Sequence, residues 1–232
     1  MRDEHRITVR ELALFRDIAE ESFDTLLTAS FLQRFPPGVE LISEGEPADF
    51  LYVVVDGLVE LFATHNGKDS TLAIMRPVGT FILAATLKDA VYLMSARTLE
   101  QSRVLMIPSS NVRDVFAQDA DFARAIVVEL SNSYRSVVRE LKGQKLRTGV
   151  ERLANYLLLN HQGQGGQGTV ELDIDKRTVA SRLGMTPENL SRAFATLGPY
   201  GVEVDGRMIK LTNLKDLEVL AKPTPLIDDE SS

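Results

Sequence analysis

Closely spaced turn signals are the feature that most restricts how residues 31–107 can fold. They recur about every 8–12 residues and leave only short β-rich runs between them, a pattern typical of antiparallel sandwiches and barrels. The turn signals are Pro36-Pro37-Gly38, Gly45, Asp56-Gly57, Asn66-Gly67 and Pro77-Val78-Gly79, and the runs are Leu51–Val55, Val59–Ala63, Thr71–Met75 and Arg103–Ile107. Asn66-Gly67 is the strongest hairpin signal, because both residues accept the positive φ of a tight turn.

Helical periodicity flanks this β-rich region on both sides. Residues 8–30 predict short helices with apolar positions at Leu12, Phe15, Ile18, Phe23, Leu26 and Leu27. Residues 111–142 predict one long helix. Its apolar residues form a narrow seam near the coiled-coil period of 3.5, namely Ile126, Leu130, Tyr134, Val137 and Leu141. The seam predicts a dimer interface; the alternative is a surface helix that packs on its own β domain.

Composition excludes several kinds of site. The chain has 232 residues and no cysteine, which rules out disulfides, cysteine-ligated zinc or iron–sulfur clusters, and a cysteine nucleophile. No apolar run reaches the roughly 20 residues needed to cross a bilayer. The charged N-terminus does not resemble a signal peptide, so we expect a cytoplasmic protein with no membrane partner. The net charge of −7 argues against nucleic-acid binding over the whole surface but allows one local basic surface.

The C-terminal part of the chain combines one more helix with two segments that carry no periodic pattern. Residues 148–160 have an apolar helical pattern. Residues 162–168 contain four glycines, which predicts a flexible loop. Residues 223–232 predict a disordered acidic tail.

Residues 175–197 predict two short helices joined by a tight turn. Asp175 is a good cap for the first helix, and Gly184 supplies a turn residue that tolerates positive φ. Thr186 followed by Pro187 is a strong start for the second helix. Apolar residues that can face one another across the turn are Val179, Ala180, Leu183, Met185, Leu190 and Ala193. This order predicts a helix-turn-helix, whose second helix fits the major groove of DNA.

The polar residues of this segment can recognise DNA. Glu188, Ser191 and Arg192 share one face of the second helix and can bond to base edges, arginine to guanine and glutamate to cytosine. Basic side chains around them can hold phosphates, and the predicted DNA-binding set is Lys176, Arg177, Thr186, Glu188, Ser191, Arg192 and Arg207. Asp205-Gly206 predicts a hairpin turn after the helices, which would form a wing.

Several separate stretches resemble the Crp/Fnr family of bacterial transcription regulators, over about residues 12–220. The stretch from Gly45 to Gly57 is similar to the family's β-roll signature, and the stretch from Lys176 to Leu197 is similar to its DNA-binding helices. The resemblance implies an α+β protein with an N-terminal antiparallel, jelly-roll-like β-roll, a long dimerisation helix and a C-terminal winged helix-turn-helix. Residues 92–97 and 183–190 also resemble the family's ferrous-iron-transport activators, the FtrB-like branch.

The resemblance also shows which ligand-binding residues are missing. Members that bind cyclic AMP hold its ribose with a Gly-Glu pair and its phosphate with an Arg-Ser/Thr pair, whereas this chain has Leu83-Ala84 and Tyr92-Leu93 there. An apolar effector pocket is expected instead, formed by Phe81, Leu83, Ala84, Tyr92, Leu93 and Met94. We therefore expect no response to cyclic AMP. His5, His65 and His161 are expected on the surface, so haem has no supporting ligand. The identity of the effector is unknown.

The sequence thus predicts a homodimeric transcription regulator of DNA, with RNA polymerase as a further partner. The Glu188, Ser191 and Arg192 pattern resembles that of members reading TTGA-type inverted repeats. The expected domains are a sensor (residues 1–110), a dimerisation helix with a hinge near Gly143 (residues 111–143), a winged helix-turn-helix (residues 144–222) and the tail. The alternatives are an effector-binding module without DNA function and an enzyme, for which no catalytic or metal-ligand set is visible.

Overall fold

The computed structural model describes the backbone of residues 3–228 and the side chains of residues 6–228. The chain divides into two compact units, residues 1–133 and residues 134–232. The fold is α+β, as predicted, with a β-rich N-terminal part that precedes the helix-turn-helix. No described helix is long and apolar enough to span a bilayer.

The first unit contains two antiparallel sheets built from short strands. In chain order the elements are α1 (Asp3–Arg10), α2 (Glu20–Leu27), β1 (Phe31–Phe35), β2 (Glu40–Ile42), β3 (Phe50–Asp56), β4 (Val59–His65), β5 (Lys68–Met75), β6 (Thr80–Phe81), α3 (Leu83–Lys88), β7 (Ser95–Thr98), β8 (Ser102–Pro108), α4 (Ser109–Gln118) and α5 (Ala120–Leu146), which continues into the second unit. The described strands pair in the orders β1-β8-β3-β6 and β2-β7-β4-β5. All four predicted β-rich runs are strands.

The predicted hairpin at Asn66-Gly67 is confirmed. His65 pairs with Lys68, and the two turn residues have φ values of 51° and 71°. Both positive values fit a two-residue hairpin turn, which explains why asparagine followed by glycine is favoured here.

Two apolar cores hold the first unit together. One lies among the N-terminal helices, strands β3 and β8, and the beginning of α5, with Phe15, Phe23, Leu105 and Phe122 fully buried. The other lies within the β-roll and includes Tyr52, Phe81 and Tyr92. Alternate residues of β3 supply the two cores, since Leu51, Val53 and Val55 enter the first while Tyr52 and Val54 enter the second.

Two helical predictions need correction. Leu12, Phe15 and Ile18 are buried as expected, but they lie in turns between α1 and α2. The predicted single helix over 111–142 is interrupted at Asp119, whose carboxylate accepts the backbone N–H groups of Asp121 and Phe122 and so caps α5. Helix α5 continues through Gly143, and the chain bends at Arg147–Thr148, so the hinge near Gly143 stays a prediction.

The second unit contains the end of α5, six further helices and strands of a small sheet among its described residues. These elements are α6 (Gly149–Gly163), β9 (Thr169–Glu171), α7 (Lys176–Arg182), α8 (Pro187–Leu197), a 3-10 helix (Gly198–Tyr200), β10 (Val202–Asp205), β11 (Met208–Leu211), α9 (Leu214–Ala221) and α10 (Pro225–Asp228). The antiparallel sheet has the order β10-β11-β9. Strand β9 was not predicted from the sequence.

The glycine-rich segment after α6 is an ordered turn rather than a flexible loop. Gln164 exchanges two hydrogen bonds of 2.8 Å with the backbone of Glu171. His161, expected on the surface, is 8% exposed and accepts a 2.9 Å hydrogen bond from the Gly168 N–H. The glycines allow this close turn because Gly165, Gly166 and Gly168 have positive φ. The prediction of a flexible loop from the four glycines was therefore wrong.

The expected disordered tail is also ordered in part. Residues 225–228 form α10, and the side chain of Asp228 pairs with Arg147. Residues 229–232 lie outside the described part of the chain. The two ion-pair partners are 81 residues apart in sequence, so no local pattern indicated that the segment would be held.

Candidate DNA-binding surface

The helix-turn-helix forms as the sequence predicts. Asp175 caps α7 by accepting the Thr178 N–H at 2.8 Å, and Thr186 caps α8 by accepting the Asn189 N–H at 3.3 Å. Gly184 has φ +62°, and a Cβ there would lie 2.7 Å from the Gln144 amide oxygen. The positive φ explains why glycine occupies this turn, whereas the end of the flexible Gln144 side chain could move aside for a Cβ. Residues buried between the helices include Val179, Ala180, Leu183, Leu190 and Ala193, with Met185 half-buried.

The predicted reading face of α8 is exposed. Glu188, Ser191 and Arg192 all have solvent-accessible side chains on the face that the packed residues leave free. The Ser191 hydroxyl donates to the Pro187 carbonyl at 3.1 Å. A hydrogen bond from the Thr186 hydroxyl holds the pKa of Glu188 below its ordinary value, with a smaller contribution from the charge of Arg192. Glu188 is thus an anion at neutral pH and can accept hydrogen bonds from a base edge.

Asn189 belongs to this surface and was missed in the sequence. Its side-chain oxygen accepts a hydrogen bond from Nη2 of Arg192, one helical turn further on. The spacing of three residues was the available signal, since such pairs are neighbours on a helix. Asn189 therefore orients the guanidinium in the absence of DNA. Ala195 and Thr196 are exposed further along the same helix.

An open groove of about 480 Å³ lies beside the reading face. Its polar lining includes Lys176, Arg177 and Ser191, and its apolar lining includes Leu190, Phe194 and Val204. The Lys176 ammonium lies 5.7 Å from the centre of the Phe194 ring. Because α7, α8 and β10 all border the groove, two cationic side chains, the reading helix and the wing are brought together.

The predicted wing is present, with its turn shifted by one residue. Asp205 pairs with Met208, so the turn consists of Gly206-Arg207 rather than Asp205-Gly206. Gly206 has φ +58°, which fits the first position of such a turn. Arg207 donates from Nε to the Leu172 carbonyl at 2.8 Å, which fixes the base of its guanidinium at the wing tip.

The predicted effector-pocket residues are only partly brought together. Phe81 and Tyr92 are buried in the β-roll core with Met94 packed against it. Leu83 belongs to the other core, Ala84 is exposed, and Leu93 is 76% exposed. Helix α3 and the irregular segment before β7 thus separate residues that are neighbours in the sequence. The six predicted residues therefore do not line one cavity. The prediction is corrected for Leu83, Ala84 and Leu93.

Two buried tyrosines, Tyr52 and Tyr92, lie with Phe81 in the core of the β-roll. Tyr52 stacks on Phe81 with ring centres 5.1 Å apart. Burial raises the pKa of both Tyr52 and Tyr92 above the ordinary value. Both hydroxyls therefore stay neutral at physiological pH. Among the described residues, no group of three or more His, Asp or Glu side chains is arranged to hold a metal ion.

The predicted dimer seam divides into a buried and an exposed part. Ile126 is fully buried in the core of the first unit, and Leu130 packs partly against that core. Ile126 therefore has no surface to offer a partner, which corrects the prediction for this residue. Tyr134, Val137 and Leu141 are 72%, 65% and 54% exposed. Val138, which was not predicted, adds to their exposed apolar surface at 37%.

Comparison with known proteins agrees with both units. The model of the cyclic nucleotide-binding domain matches residues 32–119, and the model of the Crp-like helix-turn-helix domain matches residues 151–220. A cyclic AMP receptor protein of Thermus thermophilus is 28% identical over 193 residues, covering 82% of this chain and 87% of the relative. A CRP-like cAMP-activated global transcriptional regulator of Mycobacterium tuberculosis is 23% identical over 189 residues, covering 79% and 84%.

A solved structure shows the same fold. FixK2 from Bradyrhizobium japonicum superposes with a TM-score of 0.73 at 23% sequence identity, covering 84% of this chain and 99% of FixK2. The two matched domains occur in the order expected for a regulator, and the helix-turn-helix carries an exposed polar reading face beside basic residues. The chain belongs to the Crp/Fnr family of DNA-binding transcription regulators.

Proposed function

We propose that this protein binds an inverted DNA repeat as a homodimer, with one α8 in the major groove of each half-site. The observation that carries the proposal is the placement of Glu188, Ser191 and Arg192 on one exposed face beside Lys176 and Arg177. Arg192 and Glu188 would read base edges, and Ser191 would bond to a neighbouring edge. Lys176, Arg177 and Arg207 would hold phosphates, while Thr186 fixes the start of the reading helix.

The exposed apolar residues on the second half of α5 support the homodimer. Tyr134, Val137 and Leu141 recur at spacings of three and four, and more than half of each side chain is exposed. Two copies of this face can bury each other along parallel helices, as in a coiled coil. Such a dimer would present two recognition helices to half-sites about 34–36 Å apart. TTGA-type half-sites follow from the resemblance of the α8 pattern.

We also propose that the sensor domain does not use cyclic AMP, although the two curated relatives named above are described by that ligand. Leu83-Ala84 and Tyr92-Leu93 replace the polar pairs that the resemblance implies for cyclic AMP binding. A buried phosphate diester needs a charge-assisted donor, which these side chains do not supply. RNA polymerase as a partner and the ferrous-iron-transport branch stay predictions from the resemblance.

Selection of binding sites from a random DNA pool tests the proposal. The wild-type protein should enrich an inverted repeat, and its affinity should fall steeply as salt is raised. Enrichment of single, unpaired half-sites would contradict the homodimer. The alternative function, an effector-binding module without DNA binding, predicts no enrichment above that of a protein-free control.

A further inference from the structure

The bend between α5 and α6 is held by residues from the far end of the chain. It lies at Arg147–Thr148, between the exposed apolar residues of α5 and the helix that supports α7 and α8. Thr148 starts α6 in a reciprocal cap with Glu151, each accepting the other's backbone N–H. This cap fixes where α6 begins, but it leaves the direction of α6 relative to α5 to other contacts.

Asp228 supplies one of those contacts. Arg147 donates from both terminal nitrogens to the two carboxylate oxygens of Asp228, at 2.6 and 2.5 Å. Their side chains are only 9% and 13% exposed. The Thr224 N–H also donates to the Asp228 carboxylate at 2.7 Å, and Lys142 donates to the Leu226 carbonyl at 3.2 Å. Residues 224–228 are thereby held against the last turns of α5.

A second arginine continues these contacts to the helix-turn-helix. Arg152 donates from Nη1 to the Arg147 carbonyl and from Nε to the Leu183 carbonyl, both at 2.8 Å. Leu183 ends α7 immediately before the turn glycine Gly184. Hydrogen bonds and the backbone of Arg147 therefore connect Asp228 with the turn that sets the direction of α8.

We propose that Asp228 and Arg147 are positioning residues for DNA binding, which act by fixing the α5–α6 bend. This inference rests on the proposed function. In a dimer held through α5, the bend sets the distance between the two copies of α8, which must match the spacing of the half-sites. A bidentate arginine–carboxylate pair suits this task because it restrains direction as well as distance. Neither residue belongs to the proposed base-reading or phosphate-holding set.

The test compares DNA containing one half-site with DNA containing two. Asp228→Asn keeps the side-chain shape but removes the charge, and Arg147→Lys keeps the charge but removes the two-pronged geometry. For both variants we expect affinity for the two-half-site DNA to fall about tenfold or more, while affinity for one half-site changes less than about twofold. Half-site spacings altered by one base pair should be tolerated better than by the wild type. Glu218→Gln, at an exposed position of α9, is the matched control and should leave both affinities unchanged.

Three results would overturn the inference. Unchanged two-half-site binding would show that the pair does not position α8. An equal loss on one and two half-sites, with a lower melting temperature, would show a purely structural role. If Asp228→Asn fails to fold by circular dichroism, Arg147→Lys decides between these outcomes. If the wild type itself selects no DNA sequence, the proposed function fails first and the positioning role falls with it.

Discussion

Arg97 donates from Nε to the carboxylate of Glu60 at 2.7 Å, and the Glu60 side chain is only 3% exposed. Arg97 also donates from Nη1 to Asp69 at 2.7 Å and lies 4.2 Å from the centre of the Phe62 ring. The hydrogen bond from Arg97 and, after it, one from the Thr64 hydroxyl hold the pKa of Asp69 below its ordinary value. The guanidinium nearest in sequence to Tyr92-Leu93 is therefore already engaged by two carboxylates.

The first prediction follows from the hydrogen bonds of Arg97 to Glu60 and Asp69. A cyclic nucleotide phosphate would have to displace Glu60 from Arg97 and leave that buried carboxylate without its cation, which is costly. Calorimetric titration with cyclic AMP and cyclic GMP should show no binding tighter than about 1 mM, or roughly −4 kcal/mol. Micromolar binding to the β-roll would contradict the proposed loss of the phosphate site.

The second prediction concerns the dimer. Val137→Glu places a charge on the exposed apolar face of α5 and should shift the protein toward monomer, because that charge would be desolvated in the interface. Val219→Glu is the matched control, since Val219 is 75% exposed on α9. Sedimentation velocity distinguishes the species. A Val137→Glu dimer as stable as the wild type would place the principal interface elsewhere.

The third prediction concerns acid stability. Asp119 caps α5 and also accepts the Ala19 N–H at 3.1 Å, and hydrogen bonds, with that from Ser22 the largest, lower its pKa. A depressed pKa stabilises the fold above the unfolded-state value near 4 and loses this contribution as the pH falls below it. Asp119→Ala should cost about 1 kcal/mol at neutral pH and flatten the acid part of the stability curve. Chemical unfolding at a series of pH values measures both, and an unchanged curve would contradict the assigned role.

The fourth prediction separates phosphate holding from base reading. Lys176 opens α7 and lines the groove beside the reading face, on a different helix from Glu188 and Arg192. Lys176→Ala should weaken binding to all DNA sequences alike and reduce the slope of log affinity against log salt by about 1 per subunit. Fluorescence anisotropy over a salt series measures this slope. Loss of discrimination between cognate and scrambled DNA would instead assign Lys176 to base reading.

Local chemistry made much of this structure predictable, while long-range contacts did not appear in the sequence. Asp175, Gly184 and Thr186 act through their own backbone neighbours, so their caps and turn follow from residue type and position. Ile126 and Asp228 depend on partners far away in the chain, and their positions were therefore misinterpreted. A periodic seam indicates an apolar face, but it does not indicate whether the chain's own core or a second chain covers that face.

The effector-pocket residues show the same limit. Leu83 and Tyr92 were placed together because both replace ligand-binding positions implied by the resemblance. The left-handed conformation of Ile82, with φ 71°, begins α3, and Leu83 joins the core formed with the N-terminal helices. Tyr92 joins the core within the β-roll. The backbone is thus irregular at Ile82, and Leu83 and Tyr92 lie in different cores. No side-chain pattern in the sequence indicated that these two residues would be separated.

Binding-site selection with Arg192→Ala tests the central claim, reading of DNA bases by α8, most directly. Arg192 is exposed, one turn into α8, and its guanidinium is oriented by Asn189. The variant should lose about 1–3 kcal/mol on the cognate site and lose discrimination at one position of each half-site. An Arg192→Ala protein that selects the same sequence as the wild type would show that another face of the domain contacts the bases.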